Sequence, residues 1–180
     1  MEYWDIYDKD GNFTGKIIEK GTAFLPGEYH KAVEIWIINK DGNLLLQKRS
    51  DAVELYPGRW ALTTGRLKSG ETPLEGCVRE LLEELGILAS QSSFHHLAHI
   101  VREDAAMLWD IFITEWNGNI NDLSYADHEV SDAKWVTPEE LLTLIRSETI
   151  FTYPEIETIL QQIQKYYRKP SGKNTAGIYR

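Results

Sequence analysis

Apolar and polar positions change period several times along the chain, and each change marks an element. The run "KAVEIWIIN" is rich in β-branched and aromatic residues and passes through "KDGN" into "LLLQKR", which predicts a two-stranded unit over residues 32–49. The same "KDGN" occurs at Lys9–Asn12 between strand-like flanks, and Asp-Gly in that setting predicts an N-terminal hairpin over residues 1–20. The flanks do not otherwise repeat, so one turn chemistry is used twice. Further strands are expected in "RWALTTG", "FHHLAHIV", "MLWDIFITEW" and, briefly, "DAKWV". The period changes to that of a helix at Thr72-Pro73-Leu74-Glu75, a capping box with proline in the first turn, and Gly86 suits the position just past a helix end. Between them Leu74, Val78, Leu81 and Leu85 form a stripe for the core, with Cys77 and Leu82 on its flanks. A second helix opens at Thr137-Pro138 and a third is expected over 154–168. Residues 169–180, "KPSGKNTAGIYR", have the composition of a flexible tail. The pattern therefore predicts one domain over residues 1–168, with its core over about 30–165.

Charge narrows what such a domain binds. Asp and Glu number 28 against 19 Lys and Arg, a net charge of -9 that disfavours a broad grip on nucleic acid or on an anionic membrane. A phosphorylated substrate would need help from cations. Cys77 is the single cysteine, which rules out an intrachain disulfide and suits a reducing compartment. The acidic start "MEYWDIYDKD" lacks a secretory pattern, and no apolar run approaches the ~18 residues of a membrane span. A cytoplasmic protein is expected, and a homodimer is compatible with it.

The acids are not spread evenly. Glu80, Glu83 and Glu84 stand at i, i+3 and i+4 of the first helix, so they share a face where like charges repel and a positive partner is needed. One reading is a solvated acidic face with Arg79 paired to Glu83 one turn on. The other is a set of hard oxygen ligands for Mg²⁺ or Mn²⁺, preceded by a glycine-containing loop that brings backbone groups close to a metal and a phosphate.

The spacing decides between them by resemblance. Gly65, Glu71, Arg79-Glu80-Leu81, Glu83-Glu84, Gly86 and Ile87 meet every specified position of the signature of the Nudix hydrolase family. The likeness extends over residues ~3 to ~145 and looks like the branch bordering isopentenyl-diphosphate isomerases. It implies the Nudix fold, an α/β/α sandwich with a mixed β-sheet between helices. It also implies a metal-dependent hydrolase in which water attacks phosphorus in a diphosphate linkage of a nucleoside diphosphate derivative, a small-molecule substrate. Carried over residue by residue, Glu83 and Glu84 would hold Mg²⁺ or Mn²⁺, Glu80 would bind metal or position the water, and Arg79 would orient Glu83. Glu71 would support the cluster from the substrate-binding loop. The residue before the signature glycine, which gives its carbonyl to the metal in several relatives, is here Thr64.

Two other functions stay in view. An isomerase of that neighbouring branch would need a cysteine where this chain has Thr64 and a histidine where it has Arg66, although His30 matches a histidine of that class. A non-catalytic nucleotide-binding module would be marked by loss of signature acids, and none is lost. Arg49, Arg59 and Arg66 are candidates to grip phosphate. Relatives often recruit one more carboxylate as metal ligand or general base, and Glu129, in the loop "YADHEVSD", is preferred for its reach over Asp110 in "LWDIF".

Overall fold

The computed structural model describes residues 1–126 and 128–167, so the expected tail at 169–180 lies outside the described residues. Strands β1 (Tyr3–Tyr7) and β2 (Phe13–Glu19) form the N-terminal hairpin as a separate two-stranded sheet. The larger sheet contains β3 (His30–Ile38), β4 (Leu44–Arg49), β5 (Trp60–Ala61), β6 (Thr63–Arg66), β7 (His95–Arg102), β8 (Met107–Glu115) and β9 (Val130–Val136). Its order is β5-β4-β3-β8-β7, with β6 also paired to β3 and β9 to β4. The β3–β8 pair is parallel and the others are antiparallel, so the sheet is mixed.

Both "KDGN" turns close in the same way, and the residue that precedes them supplies the reason. Asp8 Oδ1 accepts from the amides of Asp10 and Asn12, and Asn39 Oδ1 accepts from those of Asp41 and Asn43. Gly11 and Gly42 take the left-handed conformation that this turn requires, with φ of 83° and 80°. The stretch "RWALTTG" is two strands rather than one, because the chain changes partner at Leu62: β5 pairs with β4, whereas β6 pairs with β3.

Strand β3 is buried on both faces, which is why its sequence is a continuous apolar run. Val33, Ile35 and Ile37 pack beneath helix α1 (Pro73–Leu85) with Cys77, Leu81 and Leu85. Trp36 and Ile38 face the opposite layer, helices α2 (Pro138–Arg146) and α3 (Ile156–Tyr167), through Leu141, Ile145, Ile159, Leu160 and Ile163. Among the described residues no helix is long and apolar enough to cross a membrane.

Both predicted caps of α1 are present: the Thr72 side chain accepts from the Glu75 amide, Glu75 reaches back to Thr72, and Gly86 ends the helix at φ 69°. The buried stripe is displaced from the expected one. Cys77, Leu81 and Leu85 are wholly buried, Leu74 and Val78 half-buried, and Leu82 is exposed. The helix is rolled so that Glu80 and Glu84, only 8% and 2% exposed, also turn toward the sheet.

One charged group enters the core away from that helix face. Glu34 is buried on the α3 side of β3, where Trp36 Nε1 donates to its Oε1 at 2.7 Å and the Tyr153 hydroxyl donates to the same oxygen. Burial outweighs these two donors and pushes the Glu34 carboxyl up to about 7 from an ordinary 4.5. The folded protein thus holds this proton more tightly than the unfolded chain. Its contribution to stability is complete below pH 4.5 and is lost as pH rises through about 7. Glu34→Gln, uncharged throughout, is expected to gain on wild type by up to ~3 kcal/mol between pH 4.5 and 8 in denaturant melts. Burial lowers the pKa of His30 to about 4, but His30 titrates in both proteins and drops out of the difference. Parallel pH profiles of the two proteins would contradict this assignment.

Candidate active site

Helix α1 and the loop before it gather three acids, Glu71, Glu80 and Glu83, around one arginine. Arg79 Nε and Nη2 donate to the two oxygens of Glu71 at 2.7 and 2.8 Å, a forked pair between the helix and its approach loop. Its Nη1 donates to Glu80 Oε1 at 2.6 Å and Glu83 Oε2 at 2.9 Å, and Nη2 also reaches the Arg66 carbonyl at 3.0 Å. The positive partner required by the acid spacing is therefore Arg79, and it holds far more than the residue one turn on. Burial alone would lower the Arg79 pKa, but the three carboxylates outweigh it and raise that pKa. Lys68 adds a second cation, with Nζ 3.2 Å from Glu83 Oε1 and its amide donating to Glu71 Oε2.

Glu80 and Glu84 are held by strands. The Glu80 carboxylate lies against the α-carbon of Gly65 so closely that a Cβ there would come within 1.8 Å of Oε1. Close approach, rather than a left-handed turn, is what requires glycine at this position. Burial pushes the Glu80 carboxyl up to about 7, outweighing the adjacent Arg79, with Glu83 and Glu129 adding like charge. Glu83 is more open at 41% side-chain exposure. Burial raises its pKa less than Arg79 and Lys68 lower it, so it titrates below the usual range. Glu84 accepts from Gln47 Nε2 at 2.7 Å, and Gln47 Oε1 in turn accepts from the Thr63 hydroxyl at 3.1 Å.

The other candidates lie at graded distance from this cluster. Thr64 stands on β6 directly before Gly65, opposite Glu34. Glu129 is exposed in the loop just before β9, its carbonyl accepts from the Ser50 amide, and its charge is felt by Glu80. Its neighbour His128 has φ 63°, a conformation uncommon outside glycine. Asp110 is engaged elsewhere: its Oδ1 meets His96 Nε2 at 3.0 Å and His99 Nδ1 at 2.9 Å. It shares a sheet rung with Gly65, since both register with Val33, but on the far side of β3. Arg66 is half-buried with its guanidinium 4.6 Å from the Trp4 ring. Arg49 Nε donates to the Leu55 carbonyl and Arg59 Nη1 to the Glu148 carbonyl, so both fasten chain segments outside the carboxylate cluster.

Gln47, Thr63 and Lys68 belong to the site, and sequence reasoning did not single them out. Gln47 left a trace as the polar residue after three buried leucines in β4, whereas Lys68 has no local signature. Cys77 is wholly buried, and desolvation raises its thiol pKa, so it is no proton donor for the site. Among the described residues no three His, Cys, Asp or Glu side chains stand as a ready ring of metal ligands. In this arrangement a guanidinium gathers Glu71, Glu80 and Glu83.

The NUDIX domain family model matches residues 28–155. An uncharacterised Nudix hydrolase of Listeria monocytogenes is 36% identical over 155 residues, spanning 85% of this chain and 90% of the relative. A prenyl-diphosphate phosphatase of Methanosarcina mazei is 30% identical over 146 residues, spanning 78% and 82%. The crystal structure of a Deinococcus radiodurans protein superposes with a TM-score of 0.73 at 20% identity, over 90% of this chain and 99% of that one.

Proposed function

Since this chain belongs to the Nudix family and is a hydrolase of pyrophosphate bonds, we propose that it uses Mg²⁺ or Mn²⁺ to cleave a diphosphate linkage in a nucleoside diphosphate derivative. One observation carries this reading: a protein of net charge -9 concentrates Glu71, Glu80, Glu83 and Glu84 around its signature helix and draws two of them toward the sheet. Solvation explains an exposed acidic face, but it does not explain carboxylates 8% and 2% exposed.

The donor set fits a hard divalent ion. Glu80, Glu83 and Glu84, with the carbonyl of Thr64, offer only oxygen, the chemistry that Mg²⁺ and Mn²⁺ select. A bound ion there supplies neutralisation of the diphosphate oxygens and a lowered pKa for the attacking water. Glu71 fixes Arg79 by its fork, and Arg79 in turn fixes the oxygens of Glu80 and Glu83. Gln47 fixes Glu84. Arg66 and Lys68 place positive charge at the loop that approaches the cluster, while Arg49 and Arg59 act through the segments they fasten rather than as free phosphate grips.

Glu129 is the proton acceptor in this reading. It is exposed, it lies on a loop tied to Ser50, and its charge reaches Glu80, whereas the Asp110 carboxylate is occupied by two histidines. Glu129→Gln is expected to lower kcat by roughly 10²-fold with little change in KM, and Asp110→Asn to leave both near wild type. The reverse outcome would move the role to Asp110.

The reading is tested by assaying a panel of nucleoside diphosphate derivatives, with prenyl diphosphates alongside, in Mg²⁺, Mn²⁺ or chelator. Turnover of a nucleoside derivative that stops with chelator is expected. Hydrolysis confined to prenyl diphosphates would keep the chemistry and change the substrate class. Metal-dependent binding without turnover would replace the enzyme by a binding module.

A further inference from the structure

We infer that the N-terminal hairpin is a brace that sets the metal affinity of the carboxylate cluster, with Asp5 as its positioning residue. The hairpin lies outside the residues matched by the family model, 28–155, yet it grips the loop on which the cluster depends. Asp5 Oδ1 accepts from the Ser69 hydroxyl at 2.5 Å and Oδ2 from the Gly70 amide at 2.9 Å. The Tyr3 carbonyl accepts from the Ser69 amide at 2.8 Å. Trp4 stacks on His30 at 4.6 Å between ring centres and carries the Arg66 guanidinium at 4.6 Å. His30 in turn donates from Nε2 to the Leu67 carbonyl at 2.8 Å, and its buried Nδ1 meets no hydrogen-bond partner among the described residues.

Residues 66, 67, 69 and 70 are thus fastened, directly or through His30, on the hairpin side. On the helix side the same loop meets the site: the Arg66 carbonyl takes Arg79 Nη2, Lys68 reaches Glu83, and Glu71 forks Arg79. Glu71 follows Gly70 directly, and Gly70 sits at φ 78°, a conformation other residues rarely take. A shift of Gly70 therefore carries Glu71 with it, then Arg79, then the oxygens of Glu80 and Glu83. Groups that orient ligands from behind commonly change metal affinity 10- to 100-fold when removed. Asp5 acts through the loop and touches none of the ligands.

The test rests on the metal-dependent reading above and uses Mn²⁺ binding, followed by the EPR signal of the free ion, together with thermal melts. Asp5→Ala is expected to bind Mn²⁺ about 10-fold more weakly than wild type. Asp5→Asn, which keeps one acceptor oxygen, should recover part of that loss. Thr14→Val serves as the control for a merely structural role. It removes the hydroxyl that donates to the Ile6 carbonyl at the turn end of the hairpin, 2.8 Å away, and should lower the melting temperature while binding Mn²⁺ as wild type does. Should Asp5→Ala fail to fold, Ser69→Ala takes its place, with a smaller shift in the same direction. Unchanged Mn²⁺ affinity in the Asp5 or Ser69 variant, or equal weakening in Thr14→Val, would overturn the brace and leave the metal-dependent reading intact. A wild-type protein that binds no Mn²⁺ would remove both.

Discussion

Glu84→Gln is expected to lower metal-dependent turnover by ~10²-fold or more while the protein melts close to wild type. The side chain is 2% exposed, so its replacement could have been a folding defect, but the hydrogen bonds around it can reverse. Gln47 now donates to Glu84 and accepts from the Thr63 hydroxyl. With glutamine at 84, the Gln47 amide can turn over, accept from the new amide and donate to Thr63, whose hydroxyl serves either way. Neither Gln47 nor Thr63 is stranded, and for these two the penalty for an unmade hydrogen bond is avoided. The loss would then be that of a carboxylate ligand alone. Glu83→Gln should behave alike for a simpler reason, its 41% side-chain exposure. Steady-state kinetics beside thermal melts check the pair. Wild-type turnover in both variants would remove the metal assignment from this helix.

The largest effect on stability is expected from Arg79→Ala, about 3–5 kcal/mol in denaturant melts. Arg79, Glu71 and Glu80 expose only 17%, 12% and 11% of their side chains, so water screens this ion group poorly. Removing the guanidinium takes the fork from Glu71, which keeps the Lys68 amide, pushes the Glu80 carboxyl, already raised to about 7, further toward its neutral form, and takes Arg79 from the Arg66 carbonyl. Arg79→Lys restores the charge without the fork and should recover only part of the loss. Adding Mg²⁺ should stabilise Arg79→Ala more than wild type, since the ion would replace a charge that wild type already has. Equal stabilisation of the two proteins by Mg²⁺ would show that the carboxylates left behind are not where the ion goes.

Much of this site is legible in the chain because its determinants are local. The capping box at Thr72, the stop at Gly86 and the i, i+3, i+4 acids are all fixed by helix geometry within fifteen residues. The hairpins are equally local, although Asp8 and Asn39, which close them, stand one residue before the "KDGN" that draws attention. What is not legible depends on partners distant in sequence. Nothing around Gln47 indicates that β4 will bring it to Glu84, 37 residues on. The roll of α1, which buries Glu80 and exposes Leu82, is set by the sheet beneath rather than by the helix's own periodicity. Gly65 is a signature position by spacing, but its cause, the Glu80 carboxylate pressed on its α-carbon, appears only once β6 and α1 are packed. Arg49 and Arg59 are candidates to grip phosphate in the sequence, where the backbone carbonyls that each donates to are invisible.

The most direct test of a metal-assisted attack by water on phosphorus is turnover of a nucleoside diphosphate derivative in ¹⁸O-labelled water, with Mg²⁺ or Mn²⁺ and with chelator, followed by mass spectrometry of the products. Cleavage that needs the ion and leaves one ¹⁸O on a phosphorus-bearing product is the predicted result. Cleavage that persists in chelator, or products whose phosphorus carries no label, would contradict it.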